Sequence, residues 1–495
     1  MPIVTVRIAE RLSEVSIEGS APVRLLPDGE DGSEVLAGKR WRVTMTGAKS
    51  GALEHFVVLS REPVKALTAL RAEMATWQKR GARCRLIEIG TVFGVKGSVF
   101  DNRAYVLADG PFATRQDALV RAESHVKRFG LAKVGTVPEL RRRPSAQFEV
   151  DADGGAKVRA RDAVWFAPSK GEQLTVRIGR DKARAYWGQI YVTVDVDGAM
   201  AVVNAVPADR LLAGLVPSEI FPQAPAAALR AQAVAASGEL LAKIGMMHVA
   251  SPYLLCATQH CQVYGGAGQE HPRTTEAVAA TKGMVLVRRE GSLVDTVYSA
   301  SCGGHTEHND NVWPVKADGN LRGHLDADGS AIALRPFAGG INDSNIEAWL
   351  TSAPKTHCGA GRFNRDKYRW TARLSATRVN ELVKGLSVGA VRAVRVLRRG
   401  VSGRVNLLEV EGSQGKKQVR GELDIRQLFG GLRSSMFVVK AVPEGNPTEI
   451  VFRGGGWGHG VGMCQTGAIG MADGGKTHQE ILRHYYQGSE LKQLY

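Results

Sequence analysis

Four stretches of the 495-residue sequence carry residue types that could do chemistry. The first is Pro217-Ser218-Glu219, a single carboxylate beside Leu215, Val216 and Ile220 where a strand-like segment meets an Ala-rich helix. Desolvation by such neighbours raises a carboxyl pKa and makes a usable general acid. The plainer alternative is a Glu that caps the next helix or is simply solvated. The second stretch, His248 to Cys261, offers two imidazoles and two thiols: His248, Cys256, His260 and Cys261. Zinc favours tetrahedral N/S donors, and these four could fill every position; a set closed in this way is structural, because a catalytic zinc keeps one position open. A Cys256–Cys261 disulfide is the alternative in an oxidising compartment.

The third stretch, Gly454–Ala468, reads GGGWGHGVGMCQTGA. It lacks the Gly-Lys-[Ser/Thr] of a phosphate loop and the strand–turn–helix frame of a dinucleotide site. Trp457, His459 and Gln465 provide a stacking face and the hydrogen-bonding groups that sugars need, and a tight structural turn under a core tryptophan is the alternative. A Cys464 nucleophile paired with His459 is conceivable, but nothing in the sequence brings the two together. The fourth stretch, Tyr298–His308, contains His305, Glu307 and His308 and reads as a strand ending in a polar loop.

These stretches need elements to hold them. Residues 3–60 read as short strands, with alternation at 4–8 and at Trp41–Thr46 and turn material at 27–32. A helix follows over Pro63–Arg80, where Val64, Leu67, Leu70, Met74 and Trp77 recur at helical spacing. Strand-like runs Arg83–Ile89 and Arg103–Leu107 and a helix Arg115–Phe129 complete a βαββα-type unit over 52–133. Residues 134–155 are polar and basic and read as a linker to a larger domain over 156–495. Within that domain an Ala-rich helix spans Pro225–Ile244, with Gly245 at its end. The regions 280–300, 390–411 and 434–442 read as strands, and 375–384 and 476–486 as helices. Irregular mixing of the two element types gives a multidomain α+β class.

Composition narrows the function. With 44% apolar residues and 57 glycines the chain is globular and loop-rich, which excludes collagen, coiled coil and wholesale disorder. The 65 Lys+Arg against 49 Asp+Glu leave a net charge of +16, which suits a polyanionic neighbour. No nucleic-acid-binding motif accompanies that charge, so no nucleic-acid partner is expected. No run of about 18 apolar residues is present, so no transmembrane segment is expected. The start of the chain lacks a basic, then apolar, secretory pattern, so the protein is either cytosolic or numbered after removal of a leader. Six cysteines are too few for a disulfide scaffold. Cys84, Cys302, Cys358 and Cys464 are scattered; only Cys256 and Cys261 are close in sequence.

Taken together, the motifs resemble those of the SpoIID/LytB family, the stage II sporulation protein D and amidase enhancer proteins. VVNAVPADRLLAGLVPSEI (202–220) resembles the family's N-x-V-P-x-E-x-Y-L-x-G-V-V-P-S-E-M stretch, and ALRAQAVAA (228–236) its A-L-K-A-Q-A-V-A-A. CQVYGG (261–266), SCGGHT (301–306), SGRV (402–405), LRSSMF (432–437), GWGHGVGMCQTGA (456–468) and HQEILRHYYQG (478–488) follow in the family's order. Departures are Asp209 and Leu211 for Glu and Tyr, Ser237-Gly238-Glu239 for Arg-Thr-Tyr, and Cys464 for the usual Ser. Residues 52–130 resemble, more weakly, a SPOR-type module, which binds glycan strands stripped of stem peptides on its sheet; a plain ferredoxin-like module is the alternative.

The resemblance implies a SpoIID-type mixed α/β catalytic domain with a β-rich subdomain after a small β-rich N-terminal segment, 1–51. It implies a peptidoglycan lytic transglycosylase that cleaves the MurNAc–GlcNAc bond of denuded strands and leaves 1,6-anhydroMurNAc ends. Glu219 is then the single general acid/base, and Gln262, Tyr264, Trp457, His459 and Gln465 the substrate contacts. No cofactor is required for the chemistry, and zinc on His248, Cys256, His260 and Cys261 is structural. A periplasmic, cell-envelope or extracellular location follows. The rival reading is a non-catalytic enhancer whose partner is a cell-wall amidase.

Overall fold

The computed structural model describes residues 2–494 apart from 28, 30–33, 35, 96, 132–133, 170, 180–181, 329–331 and 361–364. The turn expected at 27–32 lies largely outside the described residues. The chain forms two compact units that interleave in sequence. One comprises Met1–Pro222, Leu240–Met284 and Gln493–Tyr495, the other Gln223–Glu239 and Val285–Lys492. Helices and strands mix irregularly in both, as the α+β class requires. Among the described residues no helix is long and apolar enough to cross a membrane.

The first unit opens with strands β1 (Ile3–Glu10), β2 (Glu14–Leu26) and β3 (Leu36–Lys49). A module then follows: β4 (Ala52–Pro63), α1 (Leu67–Lys79), β5 (Cys84–Ile89), a hairpin of β6 (Val92–Val95) and β7 (Ser98–Asp101), β8 (Ala104–Phe112), α2 (Arg115–Phe129) and β9 (Thr136–Arg142). Its sheet runs β5-β8-β4-β9, all antiparallel, which is the ferredoxin-like βαββαβ order. The helix α2 carries its stop and start signals in sequence. Thr114 accepts a hydrogen bond from the Asp117 N–H at the N-cap, and Gly130 takes a left-handed φ of 67° at the C-cap.

Both helices pack on one face of this sheet, α1 through Leu70 and Trp77 onto Leu107, α2 through Ala118 and Ala122 onto Val57. The opposite face is also a core: Phe56, Ala104, Val106, Ala108 and Val137 are buried there, with Met246 packed against them. The sheet face that a SPOR-type module would offer to glycan is therefore closed in this chain. Asn102 Nδ2 donates to the carbonyls of Ala242 and Ile244, and Gly90 N–H to Gly245, which fixes the module along that edge.

The chain continues as β10 (Ser145–Ala152), β11 (Lys157–Arg161), β12 (Ala163–Ala167), β13 (Leu174–Ile178), β14 (Lys182–Tyr186), β15 (Gln189–Val194) and β16 (Met200–Pro207). With β1–β3 and the short β17 (Leu255–Cys256) they form an 11-stranded sheet of order β11-β10-β3-β2-β12-β15-β16-β1-β17, with β13 joined to β2 and β14. Two boundaries expected from sequence are corrected here. Residues 1–51 are not a separate segment, because β1 to β3 are strands of this sheet. Residues 134–155 are not a linker, because they hold β9 and β10. Strand β10 alternates, with Ala146, Phe148 and Val150 buried, and pairs β3 on one side and β11 on the other. The module thus sits between two paired strands, β3 and β10, as an insertion at a hairpin tip.

Helix α3 (Ala208–Glu219) follows β16, and α4 (Ala226–Lys243) follows α3. Sequence placed Glu219 where a strand-like segment meets the Ala-rich helix; it is instead the last residue of helix α3. Pro217 lies in the final turn, and the helix stops two residues later where Ile220 turns extended, its N–H still donating to Val216 O.

The second unit is built around two three-stranded sheets. One is ordered Arg369–Ser375, Glu449–Gly455, Phe437–Val442; the other joins Val391–Arg399, Val405–Gly412 and Gly415–Arg420. Their shared core includes Val405, Leu408, Ile425, Phe437 and Phe452. Helix His478–Tyr485 begins with a capping box between Thr477 and Glu480. The long strand expected over 280–300 is instead two short ones, Met284–Val287 and Tyr298–Ser299.

Candidate functional site

Glu219 stands at the C-terminal end of α3, where the unpaired helix carbonyls disfavour a negative charge. Its Oε1 accepts the Val263 N–H at 2.7 Å, and among the described residues Oε2 accepts no hydrogen bond. Burial pushes the carboxyl pKa up; the Val263 N–H and the Lys243 ammonium pull it back without cancelling the rise. This is a carboxyl biased toward its protonated form, with a cation near enough to receive the carboxylate once the proton leaves.

The segment Cys261–Gly266 is what α3 docks on. A Cβ on Gly214 would stand 2.7 Å from Gly266 O and 3.0 Å from Tyr264 Cε2, so only glycine lets the helix come this close. Tyr264 is 1% exposed, and its hydroxyl donates to Asn204 Oδ1 at 3.1 Å. Asn204, fully buried in β16, donates in turn to Trp187 O and Gln189 O. Tyr264 was expected to touch substrate; its position corrects that, since neither ring nor hydroxyl is open. Gln262 is likewise buried rather than displayed.

His248, Cys256, His260 and Cys261 come together as their spacing suggested, with all four donor atoms within 4.8 Å of one another. Cys261 Sγ lies 3.3 Å from His248 Nε2, 3.5 Å from Cys256 Sγ and 3.6 Å from His260 Nδ1. A tetrahedral zinc with bonds of about 2.0–2.3 Å separates its donors by about 3.3–3.8 Å, so the four fit one ion. His248 adopts φ 50°, a left-handed backbone uncommon outside glycine. Both cysteines are free thiols, so no disulfide joins them here. The group can hold a metal ion.

The remaining candidates belong to the second unit. Trp457 is 37% exposed, with Arg433 Cζ 4.9 Å and Lys367 Nζ 5.4 Å from its ring centroid. His459 sets its ring 4.9 Å from that of Trp313, and its Nδ1 accepts the Val461 N–H. Gln465, expected to contact substrate, is corrected: it is buried and its Nε2 donates to Gln232 Oε1. Cys464 is fully buried, its Sγ accepting the N–H groups of Cys302 and Gly467, which removes it as an open nucleophile.

Two buried ions explain the neighbouring motifs. Glu307 accepts hydrogen bonds from His308 N, Asn311 Nδ2, Val401 N, Ser402 N and Ser402 Oγ, so it clamps the turn that carries Ser402-Gly403-Arg404. Arg404, 1% exposed, donates to Cys302 O, Ser402 Oγ and Gly458 O. Gly460 must be glycine, since a Cβ there would sit 2.4 Å from Arg404 Cζ and its φ is 77°. His305 is neutral at ordinary pH, because burial lowers its pKa to about 4, and its Nδ1–H donates to Thr306 O. The Tyr298–His308 stretch is thus architecture. Sequence reasoning missed Asn204, Arg404 and Asp326. Asp326 is a fully buried carboxylate that Tyr485 and His484 hold; for Asn204 the signal was a lone polar residue in an apolar run.

Comparison with known proteins bears on this geometry. Residues 196–287 match the family model described as Stage II sporulation protein, which spans Asn204, Glu219 and the four-donor cluster. Residues 307–462 match a domain of unknown function, DUF8618. An uncharacterized protein of Brachyspira hyodysenteriae is 29% identical over 309 residues, covering 62% of this chain and 72% of that protein. The amidase enhancer of Bacillus subtilis is 27% identical over 57% of this chain and 40% of its own length. The stage II sporulation protein D of Bacillus amyloliquefaciens is 26% identical over 59% of this chain and 76% of its own. With the ordered motifs from Asn204 to Gly488, these matches support the resemblance to the SpoIID/LytB family: the chain is similar to stage II sporulation protein D and amidase enhancer proteins.

Proposed function

We propose that this protein acts on the bacterial cell wall as a lytic transglycosylase of stem-peptide-free glycan strands, with Glu219 as its one acid/base. The observation that supports the reading is the Glu219 carboxyl itself: raised in pKa by burial at a helix C-terminus, tethered through Oε1, and, among the described residues, unengaged at Oε2. Oε2–H donates its proton to the glycosidic oxygen between MurNAc and GlcNAc as that bond breaks, and an oxocarbenium-like centre develops at the MurNAc C1. The carboxylate left behind is steadied by the Val263 N–H and the Lys243 charge. It then removes the proton from the MurNAc C6 hydroxyl, whose oxygen closes onto C1. The 1,6-anhydro ring forms, the carboxyl is regenerated, and no water is consumed.

Trp457, with Arg433 and Lys367 around its ring, is a second contact for glycan, and His459, whose ring lies against Trp313, is another. Stacking on a sugar face and attraction of lactyl carboxylates suit that group. His248, Cys256, His260 and Cys261 hold zinc, which supplies no chemistry to the cleavage and pins the loop between α4 and Val263. The site of action is the periplasm or cell envelope.

Digestion of denuded strands followed by mass spectrometry tests the proposal. The wild type yields anhydro-ended fragments, and Glu219→Gln, near-isosteric but unable to pass a proton, cleaves about 10²–10⁴-fold more slowly. Wild-type cleavage by Glu219→Gln removes the assignment. The relative named amidase enhancer favours a second reading, a binding protein that stimulates a hydrolase. Stimulation of an amidase that survives in Glu219→Gln, with no anhydro ends from the wild type, selects it.

A further inference from the structure

The scattered cysteines of the second unit are gathered by the fold. Cys302, Cys358 and Cys464 converge with Asp326 so that their four donor atoms all lie within 4.8 Å of one another. Every one of the four is buried, Cys358 at 4% exposed and the others at 0%. We propose that these four side chains form a second, closed metal centre of the Cys₃Asp type, taking one zinc-like divalent ion.

The backbone fixes each donor before any ion arrives. The strands Tyr298–Ser299 and Met463–Cys464 pair in parallel with Cys464 opposite Ser299, and the Cys302 N–H donating to Cys464 Sγ brings those two residues together. Asp326 N–H donates to Gly304 O, and the His357 N–H to Asp326 O, which places Asp326 and Cys358. Backbone N–H groups and hydroxyls converge on the three sulfurs. Cys464 Sγ accepts the N–H of Cys302 at 3.1 Å and of Gly467 at 3.2 Å; Cys302 Sγ accepts the N–H of Gly304 at 3.3 Å. Ser301 Oγ and Thr466 Oγ1 lie 3.0 and 3.2 Å from Cys358 Sγ. A neutral thiol is a weak acceptor, whereas a thiolate draws such donors.

Asp326 is oriented as a metal-bound carboxylate usually is. Its Oδ1 accepts Tyr485 Oη–H at 2.7 Å and faces His484 Nε2 at 3.2 Å, while Oδ2 points to the thiols, 3.2 Å from Cys302 Sγ. Outer partners of this kind are what hold ligating groups in place. The charge argument points the same way. Three thiolates and a carboxylate cannot be ionised together in a buried site without a cation among them. A divalent ion leaves a charge of about −2 there, and the half-buried Arg369 is close enough to feel Cys358 and Cys302.

The spacing selects the kind of ion. Donors within 4.8 Å match a single tetrahedral ion, whose sulfurs lie about 3.8 Å apart for bonds of about 2.3 Å. A cubane iron–sulfur cluster needs its thiolates farther apart. Three soft sulfurs exclude magnesium and calcium as preferred occupants. No position is open to solvent, so the ion is structural. It fastens four segments of the second unit that are far apart in sequence, in the way a set of disulfides would in an oxidising compartment.

Elemental analysis of the full-length chain purified without added metal decides the matter. In Cys256→Ser, which disables the His248–Cys261 cluster, about one equivalent of metal remains; His260→Ala serves in the same way if that variant is insoluble. Adding Cys358→Ser removes that equivalent. Cobalt loaded into Cys256→Ser gives sulfur-to-metal charge-transfer absorption with the intense d–d bands of a tetrahedral site. Less than a tenth of an equivalent in Cys256→Ser, or a metal content that Cys358→Ser leaves unchanged, overturns the proposal. So does a loss of two hydrogens shared between peptides holding Cys302, Cys358 and Cys464, which would mean a disulfide. None of these readings depends on glycan cleavage, so they stand or fall apart from the role of Glu219.

Discussion

Tyr264→Phe separates a supporting tyrosine from a substrate-binding one. The substitution keeps the ring that α3 packs on and deletes only the hydroxyl that donates to Asn204 Oδ1 at 3.1 Å. A neutral hydrogen bond of this kind contributes about 0.5–1.5 kcal/mol net, and an acceptor left buried without a partner costs about 1–3 kcal/mol. Asn204 cannot turn to find another donor, because its Nδ2 is fixed on Trp187 O and Gln189 O. Asn204 is 0% and Tyr264 1% exposed, so water does not replace the hydroxyl. The expected loss is therefore about 1–3 kcal/mol, read from urea unfolding of the full chain with the slope unchanged. Asn204→Ala should be at least as damaging, and the double variant should fall short of the sum by about 1–2 kcal/mol, since each single change strands the other partner. At a temperature where all variants are folded, the KM for denuded strands should stay at its wild-type value. A raised KM with unchanged unfolding would refute the argument and return Tyr264 to the substrate surface.

Glu219→Gln should also report the raised carboxyl pKa through stability. A group whose folded pKa exceeds its unfolded one stabilises below the unfolded value and loses that contribution as pH rises through the folded value. The stability of Glu219→Gln relative to wild type should therefore climb as pH increases from about 4 toward neutrality; a difference that is flat or falls with pH, in urea midpoints measured across that window, would contradict the burial of the carboxyl. Gly460→Ala should cost several kcal/mol, about 1–2 from the left-handed backbone and the rest from Arg404 driven off Cys302 O and Gly458 O, whereas a midpoint within experimental error of wild type would show that the Arg404 contact is loose.

Local patterns were legible where local physics governs. Helix α2 begins and ends where Thr114 and Gly130 say it should, and α1 and α4 follow their apolar spacing to within a few residues. The His248–Cys261 cluster was visible because its four donors lie in one short stretch. What failed was read from composition rather than pattern. The basic residues of 134–155 suggested a linker, although Ala146, Phe148 and Val150 alternate as a strand must. Pro217 and Gly214 hid α3, because both disfavour helix interiors; the helix survives since Pro217 falls in its last turn and Gly214 is where Gly266 approaches. The Cys302, Asp326, Cys358 and Cys464 group was invisible for a different reason. Its members are brought together only by tertiary pairing, and the departure from serine at Cys464 was the single mark it left in the sequence.

Hydrogen-bond capacity sorts the motif residues better than their identity does. Glu307 and Arg404 looked as chemically able as Glu219, yet every charged oxygen of Glu307 and both terminal nitrogens of Arg404 are engaged inside the second unit. Tyr264 and Gln465 are engaged in the same sense, through Asn204 and Gln232. A buried polar group satisfied in this way specifies structure, and removing it from its partners to meet a substrate would cost what its burial required. Glu219 differs in kind. One oxygen is anchored, the other is not, and its surroundings favour the neutral acid while keeping Lys243 near for the anion. That asymmetry is what a group must have to give up a proton and take one back without moving, and among the motif residues of the first unit it belongs to Glu219.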